Sequence, residues 1–392
     1  MKKILVASTA LVAAGMITAG SASASEKIKL GLGGYSKWWV VGAWQDDSFE
    51  AGINNATAGQ GSANSVDVKG DNEIWFSGST KLDNGLEVGI NIELEAGGNT
   101  DSTNTTGDQI DKSYVYISGG FGKVIVGTES NGTVLMHTMA PDAAGNTGAD
   151  GILTGGLAIA RPSAVTSKVT TEIDTDAEAE KITYVAPSFY GFTVGGSYIP
   201  NATEDNQNVW GTGTPGTANQ AAEIYGVAAM YAGKVFDVGV KASAGYVTYD
   251  IAAATDRSQE WSLGTQLSYA GFTLGGSYRD IKDNMGSAPV AGGAGGVASN
   301  DGYAWDIGLM YETGPYAISF TYFNSVAEGL VANGQDEVTV YQVSGKYNMG
   351  AGVDLLATVG HAEYDDESAK TTNADANHNE GWSVMTGLSL QF

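Results

Sequence analysis

From Leu86 to Glu95 the chain reads LEVGINIELE, with Leu86, Val88, Ile90, Ile92 and Leu94 apolar and Glu87, Gly89, Asn91, Glu93 and Glu95 between them. Successive side chains of a strand point to opposite faces, so the segment predicts a strand with one apolar and one acidic face. The same alternation returns down the chain in segments of about ten residues, the length of a tilted strand that crosses a bilayer. The connections between segments alternate as well, a tight turn followed by a long polar loop. A soluble sandwich has no reason to sort its connections this way. A membrane barrel does, with short turns on the periplasmic side and long loops outside.

Read in pairs, the pattern predicts a first strand near Ile28–Trp38 and a second near Glu73–Leu82, then the turn Asp83-Asn84-Gly85 before LEVGINIELE. Asn-Gly accepts the positive φ that two-residue hairpins demand. Strands follow at Lys112–Ser118 and Lys123–Glu129, and then the longest irregular stretch, from Ser130 to about Glu180. Beyond it come strands at Lys181–Ala186 and Phe192–Ile199, and hairpins turning at Ala232-Gly233, Ala270-Gly271, Thr313-Gly314-Pro315 and Met349–Gly352. A final strand spans Trp382–Phe392. The expectation is an all-β, antiparallel transmembrane barrel of about 16 strands. The phrase GFTVGGSY at 191–198 returns as GFTLGGSY at 271–278, as if a ββ unit were repeated. Apolar faces start or end in Tyr, Trp or Phe, as the aromatic girdles of a barrel require.

Composition adds direction. Lys2 and Lys3, the apolar run Ile4–Gly20 and the small residues Ala22-Ser23-Ala24 have the form of an export signal. Residues 1–24 are therefore expected to be cleaved, and 25–392 to form one barrel domain. No later stretch approaches the ~20 apolar residues of a spanning helix. The chain carries 19 basic and 44 acidic side chains; without Lys2 and Lys3 the balance is 17 against 44, a net charge of −27. That argues against nucleic acid and anionic head groups as partners. Cysteine is absent, so disulfides and thiolate metal ligands are excluded.

With these features in place, the chain resembles the Gram-negative general porins of the sixteen-stranded trimeric type, most closely those of α-proteobacteria. The resemblance rests on EKITYVAPSFYGFTVGGSY (180–198), on the long connection after the fifth strand, and on the amphipathic last strand closing on Phe392. It implies a bacterial outer-membrane, water-filled channel for passive diffusion of small hydrophilic solutes. It also implies a homotrimer set in outer-membrane lipid, a long inward-folded loop after strand 5, and Phe392 as the signal to the barrel-assembly machinery. An eyelet follows from it too, with acidic loop residues facing basic residues on the wall. The sequence departs from that pattern, because its only arginines are Arg161, Arg257 and Arg279, none of them in the first five strands. Lysines of lumen parity (Lys37, Lys81, Lys112 and Lys123) would have to serve, and lysine lacks arginine's rigid fork.

The expected constriction thus comprises Asp142, Asp150 and Arg161 on the loop with Lys37, Lys112, Glu73 and Glu93 on the wall, and it should favour cations. Asp174-x-Asp176-x-Glu178 resembles the start of a calcium loop but has Ala179 where the EF-hand has glycine and Val185 where it has glutamate. A weak Ca²⁺ site there is one open reading, and otherwise no cofactor is expected. His137, His361 and His378 have no metal spacing and read as polar loop or rim residues. No nucleophile elbow, P-loop or paired catalytic carboxylate motif occurs, so no enzyme is expected. A structural or adhesive surface barrel and a substrate-specific porin stand as alternatives. An outward-directed loop would mark the first, an aromatic ladder or arginine track along the lumen the second.

Overall fold

The structure, a computed structural model, describes residues 27–392 apart from 54–63, 97–109, 149–158, 166–169, 177, 203–220, 252–255, 283–300 and 329–333. The export signal expected over 1–24 lies outside the described residues. The strands are β1 (Gly31–Gln45), β2 (Val66–Lys81), β3 (Glu87–Glu95), β4 (Lys112–Gly119), β5 (Gly122–Thr128), β6 (Lys181–Val185), β7 (Phe192–Asn201) and β8 (Ala221–Val235). There follow β9 (Val238–Ile251), β10 (Ser258–Tyr269), β11 (Phe272–Lys282), β12 (Gly302–Thr313), β13 (Tyr316–Glu328), β14 (Gln335–Gly350), β15 (Val353–Asp365) and β16 (Asn379–Gln391). Each pairs antiparallel with its sequence neighbours, and β1 pairs with β16 to close the barrel. Closure leaves no edge, so every strand finds its backbone partners inside the wall, as a hydrocarbon environment requires.

The alternation places the side chains. In β10, Trp261, Leu263 and Leu267 point outward and are exposed on the isolated chain, while Glu260 and Ser262 point inward and are buried. Acyl chains covering an outward leucine contribute about 1.5–3 kcal/mol each. Outward aromatics form girdles: Trp305, Tyr322, Tyr341, His361 and Trp382 follow one another across β12–β16 with ring centroids 4.8–6.1 Å apart. His361 is therefore a girdle member on the lipid-facing side, not a rim residue. At the turn end, Phe192–Tyr231, Phe272–Tyr311 and Tyr316–Tyr347 make a second series.

Two expectations need correction. The hairpin after β8 turns at Phe236-Asp237, not at Ala232-Gly233; the ladder runs on through Ala232↔Lys241 and Lys234↔Gly239 to Val235↔Val238. Phe236 itself takes a φ of 56°. The same dipeptide does turn at Ala270-Gly271, with φ of 51° and 88°. Second, β1 and β2 extend beyond their expected ends toward the long-loop side. Trp39 and Val41 face inward yet are apolar, because they pack against Ala144, Leu356 and Met385. A strand apolar on both faces shows no alternation, which hid this part from sequence reading.

Candidate functional site

The connection from β5 to β6 decides the shape of the lumen. Asn131 caps the short helix α2 (Gly132–Leu135), its side chain accepting from Thr133 N at 2.7 Å. From there the chain steps along the polar face of the wall. Thr138 N donates to Ser243 of β9 (3.0 Å), Gln266 of β10 donates to the Met139 carbonyl (2.8 Å), and Ala140 N donates to Asp306 of β12 (2.8 Å). Ala143 N reaches Ser319 of β13 (2.9 Å), and Asn146 donates to Thr358 of β15 (2.9 Å). Asn379 donates to the Ala160 carbonyl at 2.7 Å, near the β1–β16 seam. Thr171 then returns to Ser277 and Asp306, at 2.6 and 2.9 Å. These wall residues all have inward parity, so the described parts of the loop lie inside the barrel against β7–β16 and the long-loop end of β1, where Ala144 packs on Trp39 and Val41 and Ala160 N donates to Gln45. Gly264 permits this closeness: a Cβ there would stand 1.7 Å from the Thr138 carbonyl oxygen.

The returning limb is clamped by ions. Arg279, buried on β11, donates to Glu260 of β10 through Nε (2.9 Å) and Nη2 (2.6 Å), and through Nη1 to Asp174 (2.7 Å) and the Glu172 carbonyl. Glu260 is likewise fully buried, so the fork compensates a carboxylate that no water reaches. At the loop's neck, Lys181 pairs with Asp176 at 3.2 Å, and Asn131 also bonds Asp176. Burial pushes the Asp176 carboxyl above the usual range although Lys181 opposes the shift. His137 sits under the loop, 3.2 Å from Thr171. Burial, and secondarily the charge of Arg279, lowers its pKa to about 4, so it is neutral at pH 7. Ile173 and Ala179 complete the seat by packing on Ile199, Ile224, Val247 and Tyr249.

The wall over β1–β5 has a different character. Lys37 pairs with Asp71 at 2.8 Å, and Lys112 pairs with Glu93 (3.0 Å) and Asp111 (2.9 Å). The Tyr35 hydroxyl lies 2.7 Å from Asp71 and 2.8 Å from Glu73. Lys123 stands over the Tyr116 ring, 4.0 Å from its centroid. Carboxylate oxygens of Glu73, Glu95 and Asp111 fall within 4.8 Å of one another.

The structure sorts the expected site residues. Lys37, Lys112, Glu73 and Glu93 gather on the β1–β4 wall, but each lysine is matched by a carboxylate on that wall rather than arrayed as a free basic cluster. Asp142 belongs to the loop's anchor. Its Oδ1 accepts from Ala144 N (2.9 Å) and Asn146 N (3.0 Å), and its Oδ2 from Ser319 (3.1 Å) and Gln342 (2.9 Å). Arg161 is exposed and lies by Tyr364. Asp150 lies outside the described residues. Of the residues in the calcium reading, Asp174 pairs with Arg279 and Asp176 with Lys181, and the carboxylate groups that gather among the described residues do not include them. Sequence reasoning missed Arg279 and Glu260 as a pair. Inward parity plus their diagonal register (Ser262↔Arg279, Glu260↔Ile281) was the available signal.

Comparison with known proteins agrees with this architecture. The sequence profile of the family described as Gram-negative porin matches residues 7–367. The major outer membrane protein of Pasteurella multocida is 35% identical over 103 residues, which is 26% of this chain and 27% of that relative. The match thus spans about a quarter of the curated relative's length. Among solved structures, the outer membrane channel DcaP of Acinetobacter baumannii superposes with a TM-score of 0.60 at 11% identity, covering 94% of this chain and 99% of that one. A refined porin structure gives 0.57 at 15% identity, covering 93% and 100%. OmpT of Vibrio cholerae, in its trimer form, gives 0.55 at 12% identity over 93% and 99%. At such identities these structures speak for the fold, a sixteen-stranded barrel, and the profile speaks for descent. The chain belongs to the Gram-negative porin family of bacterial outer-membrane channels.

Proposed function

We propose that the protein is a passive diffusion channel for small hydrophilic solutes and ions, and that it prefers cations. The observation that carries this reading is the division of the lumen into a wall over β7–β16 whose polar groups hold the loop and a charged wall over β1–β5. On the inward positions of β1–β5 the carboxylates Asp67, Asp71, Glu73, Glu87, Glu93 and Glu95 exceed the lysines Lys37, Lys69, Lys81, Lys112 and Lys123. Glu73 supplies field on the charged wall, Lys37 is largely neutralised by Asp71 and Lys112 by Glu93 and Asp111, and Asp142, Asp150 and Arg161 set the charge of the loop. An inward loop is what a channel needs to set its bore, and it weighs against the adhesive alternative. Reversal potentials in a KCl gradient across planar bilayers test the reading. Permeability to K⁺ above Cl⁻ is expected, with Asp142→Asn plus Asp150→Asn moving the potential toward zero. An anion-selective wild type overturns it.

The homotrimer is part of the same proposal. The strands β3–β6 are the shortest of the barrel, and outward Val88, Ile90, Val115, Val124 and Val126 of β3–β5 form an aliphatic face, aromatics resuming at Tyr184 of β6. That face suits a second copy of the chain better than headgroups, and the trimer form of the Vibrio relative is consistent with it. Phe392 is proposed as the assembly signal. Its backbone exchanges hydrogen bonds with Gly34 at 3.0 and 3.1 Å, while its ring stays outward and accessible. Deleting Phe392 should reduce the amount of protein reaching the outer membrane more than it lowers the melting point of barrels that do assemble.

A further inference from the structure

The lumen keeps two kinds of cation at opposite ends. Toward the long loops, the inward-facing cations sit beside carboxylates: Lys37 with Asp71, Lys69 with Asp67 (2.7 Å), Lys112 with Glu93, Lys181 with Asp176 and Arg279 with Glu260. Further inward carboxylates, among them Glu73, Glu95 and Asp306, leave that half negative. Toward the short turns the inward positions hold Lys81, Lys123, Lys234, Lys241 and Lys346. Among the described residues none of these forms an ion pair. Inward carboxylates at this end are few: Glu87 is bonded by Tyr116 (2.9 Å) and Asp354 by Asn348 (2.7 Å), and Glu312 lies beside the β12–β13 turn. The lysines come from β2, β5, β8, β9 and β14, so they ring the mouth rather than crowd one side.

Short turns face the periplasm in this kind of barrel. We infer that the mouth lysines form a second, anion-attracting filter in series with the acidic outer half, and that the pore therefore rectifies. The inference rests on the proposed cation preference only for its outer half. The physical argument is one of fixed charge in series. With the external side positive, cations enter through the zone that attracts them while anions enter through the lysine ring, and both accumulate where the zones meet. With polarity reversed, both are drawn away from that junction and the pore conducts less. Fixed charge acts over a screening length of about 10 Å at 0.1 M salt and about 3 Å at 1 M, so the asymmetry belongs to low salt. The five lysines are specificity-determining residues for permeation.

The test uses full-length trimers in planar bilayers with KCl as the only permeant. Because the chain has no cysteine, Asp237→Cys at the β8–β9 turn reports orientation through a membrane-impermeant thiol reagent added to one compartment. At 0.1 M KCl the current with the external side positive should exceed the opposite current by about 1.5-fold or more, and the two should converge at 1 M. Changing all five lysines to Gln should abolish the asymmetry and raise K⁺ selectivity, whereas changing them to Arg should retain it. Should the Gln variant fail to assemble, acetylating amines on the reconstituted wild type replaces it, with the five-Arg variant, whose mouth charge resists acetylation, as the control for lysines elsewhere. A symmetric wild type at 0.1 M, or asymmetry unchanged once the lysine charge is removed, overturns the inference. The reversal potential separates the two readings. Cation preference with symmetric currents defeats this inference alone; lysine-dependent rectification without cation preference defeats only the proposed function.

Discussion

Where the wall from β7 to β15 meets the loop, its inward positions are short and neutral: Ser243, Gly264, Ser277, Ser319 and Thr358. On the wall from β1 to β5 the same parity holds Tyr35, Lys37, Glu73, Glu93, Lys112 and Tyr114. The covered wall must bind another segment's backbone N–H and C=O groups, and a hydroxyl does that in little space while donating or accepting as needed. The carboxylates that do lie under the loop are compensated, Glu260 by Arg279 and Asp306 by hydrogen bonds from Ala140 N, Ser277 and Thr171. On β1–β4 the inward charges compensate one another: buried Glu93 and Lys112 pair at 3.0 Å, while Lys37 and Asp71 pair at 2.8 Å and stay partly exposed. The outer faces differ in parallel, girdled with aromatics over β7–β16 and plainly aliphatic over β3–β5. One barrel therefore has a side built to hold the loop and a side whose inward charges pair among themselves.

The sharpest way to break this comparison is Arg279→Ala. It leaves Glu260 buried and uncompensated, a loss of about 3–5 kcal/mol. A lower melting point in detergent is expected, with new protease cuts within 130–180, and Arg279→Lys should restore part of both. Lysine-like recovery by Ala would show that the clamp does not seat the loop.

Acid should act on the same wall. The His137 pKa falls from 6.5 to about 4 on burial, so the unfolded chain takes up a proton at higher pH than the folded one. The stability that neutral His137 contributes is complete above pH 6.5 and is lost as pH falls toward 4. The shift is worth at most about 3 kcal/mol. Melting points measured from pH 7 to pH 4 should decline less steeply in His137→Gln. Parallel curves for the two proteins would assign the acid sensitivity elsewhere.

A further probe is Gly264→Ala, whose methyl would stand 1.7 Å from the Thr138 carbonyl oxygen, so the loop must move off the wall at that point. Overpacking of this kind costs about 1–3 kcal/mol. It should appear as noisier open-channel current while the barrel stays intact. Gly345→Ala is the control, since a Cβ there meets only the Ala317 carbonyl at 3.8 Å. The smallest effect is expected on the charged wall of β1–β5. Lys37 and Asp71 are partly exposed, so Lys37→Gln should change stability by no more than about 1 kcal/mol. It should still shift the reversal potential further toward cation selectivity, because it frees the Asp71 charge to the lumen.

Much of this was legible in the chain because a barrel strand writes its two environments into alternate residues. Glu260, Asp306 and Asp354 could be placed inward by parity alone. Parity failed where the loop supplied a second apolar environment, as at Trp39 and Val41, and where turn chemistry had two solutions, as in the two Ala-Gly dipeptides. Ala270-Gly271 turns because Phe272 pairs with Tyr269 and Tyr311 at the girdle level. Ala232-Gly233 stays in the ladder because Val235 and Val238 continue the pairing beyond it.

The sequence by itself determined the two-faced strands, the sorted connections, the position of the long loop between the fifth and sixth strands, and the acidic balance. Each of these is written in neighbouring residues. The tertiary structure alone decided which lumen charges are neutralised and where the loop lies. Ala140 meets Asp306 across 166 positions of sequence and Asn146 meets Thr358 across 212. Parity assigns a side chain to a face, but neither a depth nor a partner on the far side of the barrel. Whether Asp142 is a free charge or an anchor, and whether a lysine is paired or open to the mouth, follows from closure of the ring and from the path the loop takes inside it.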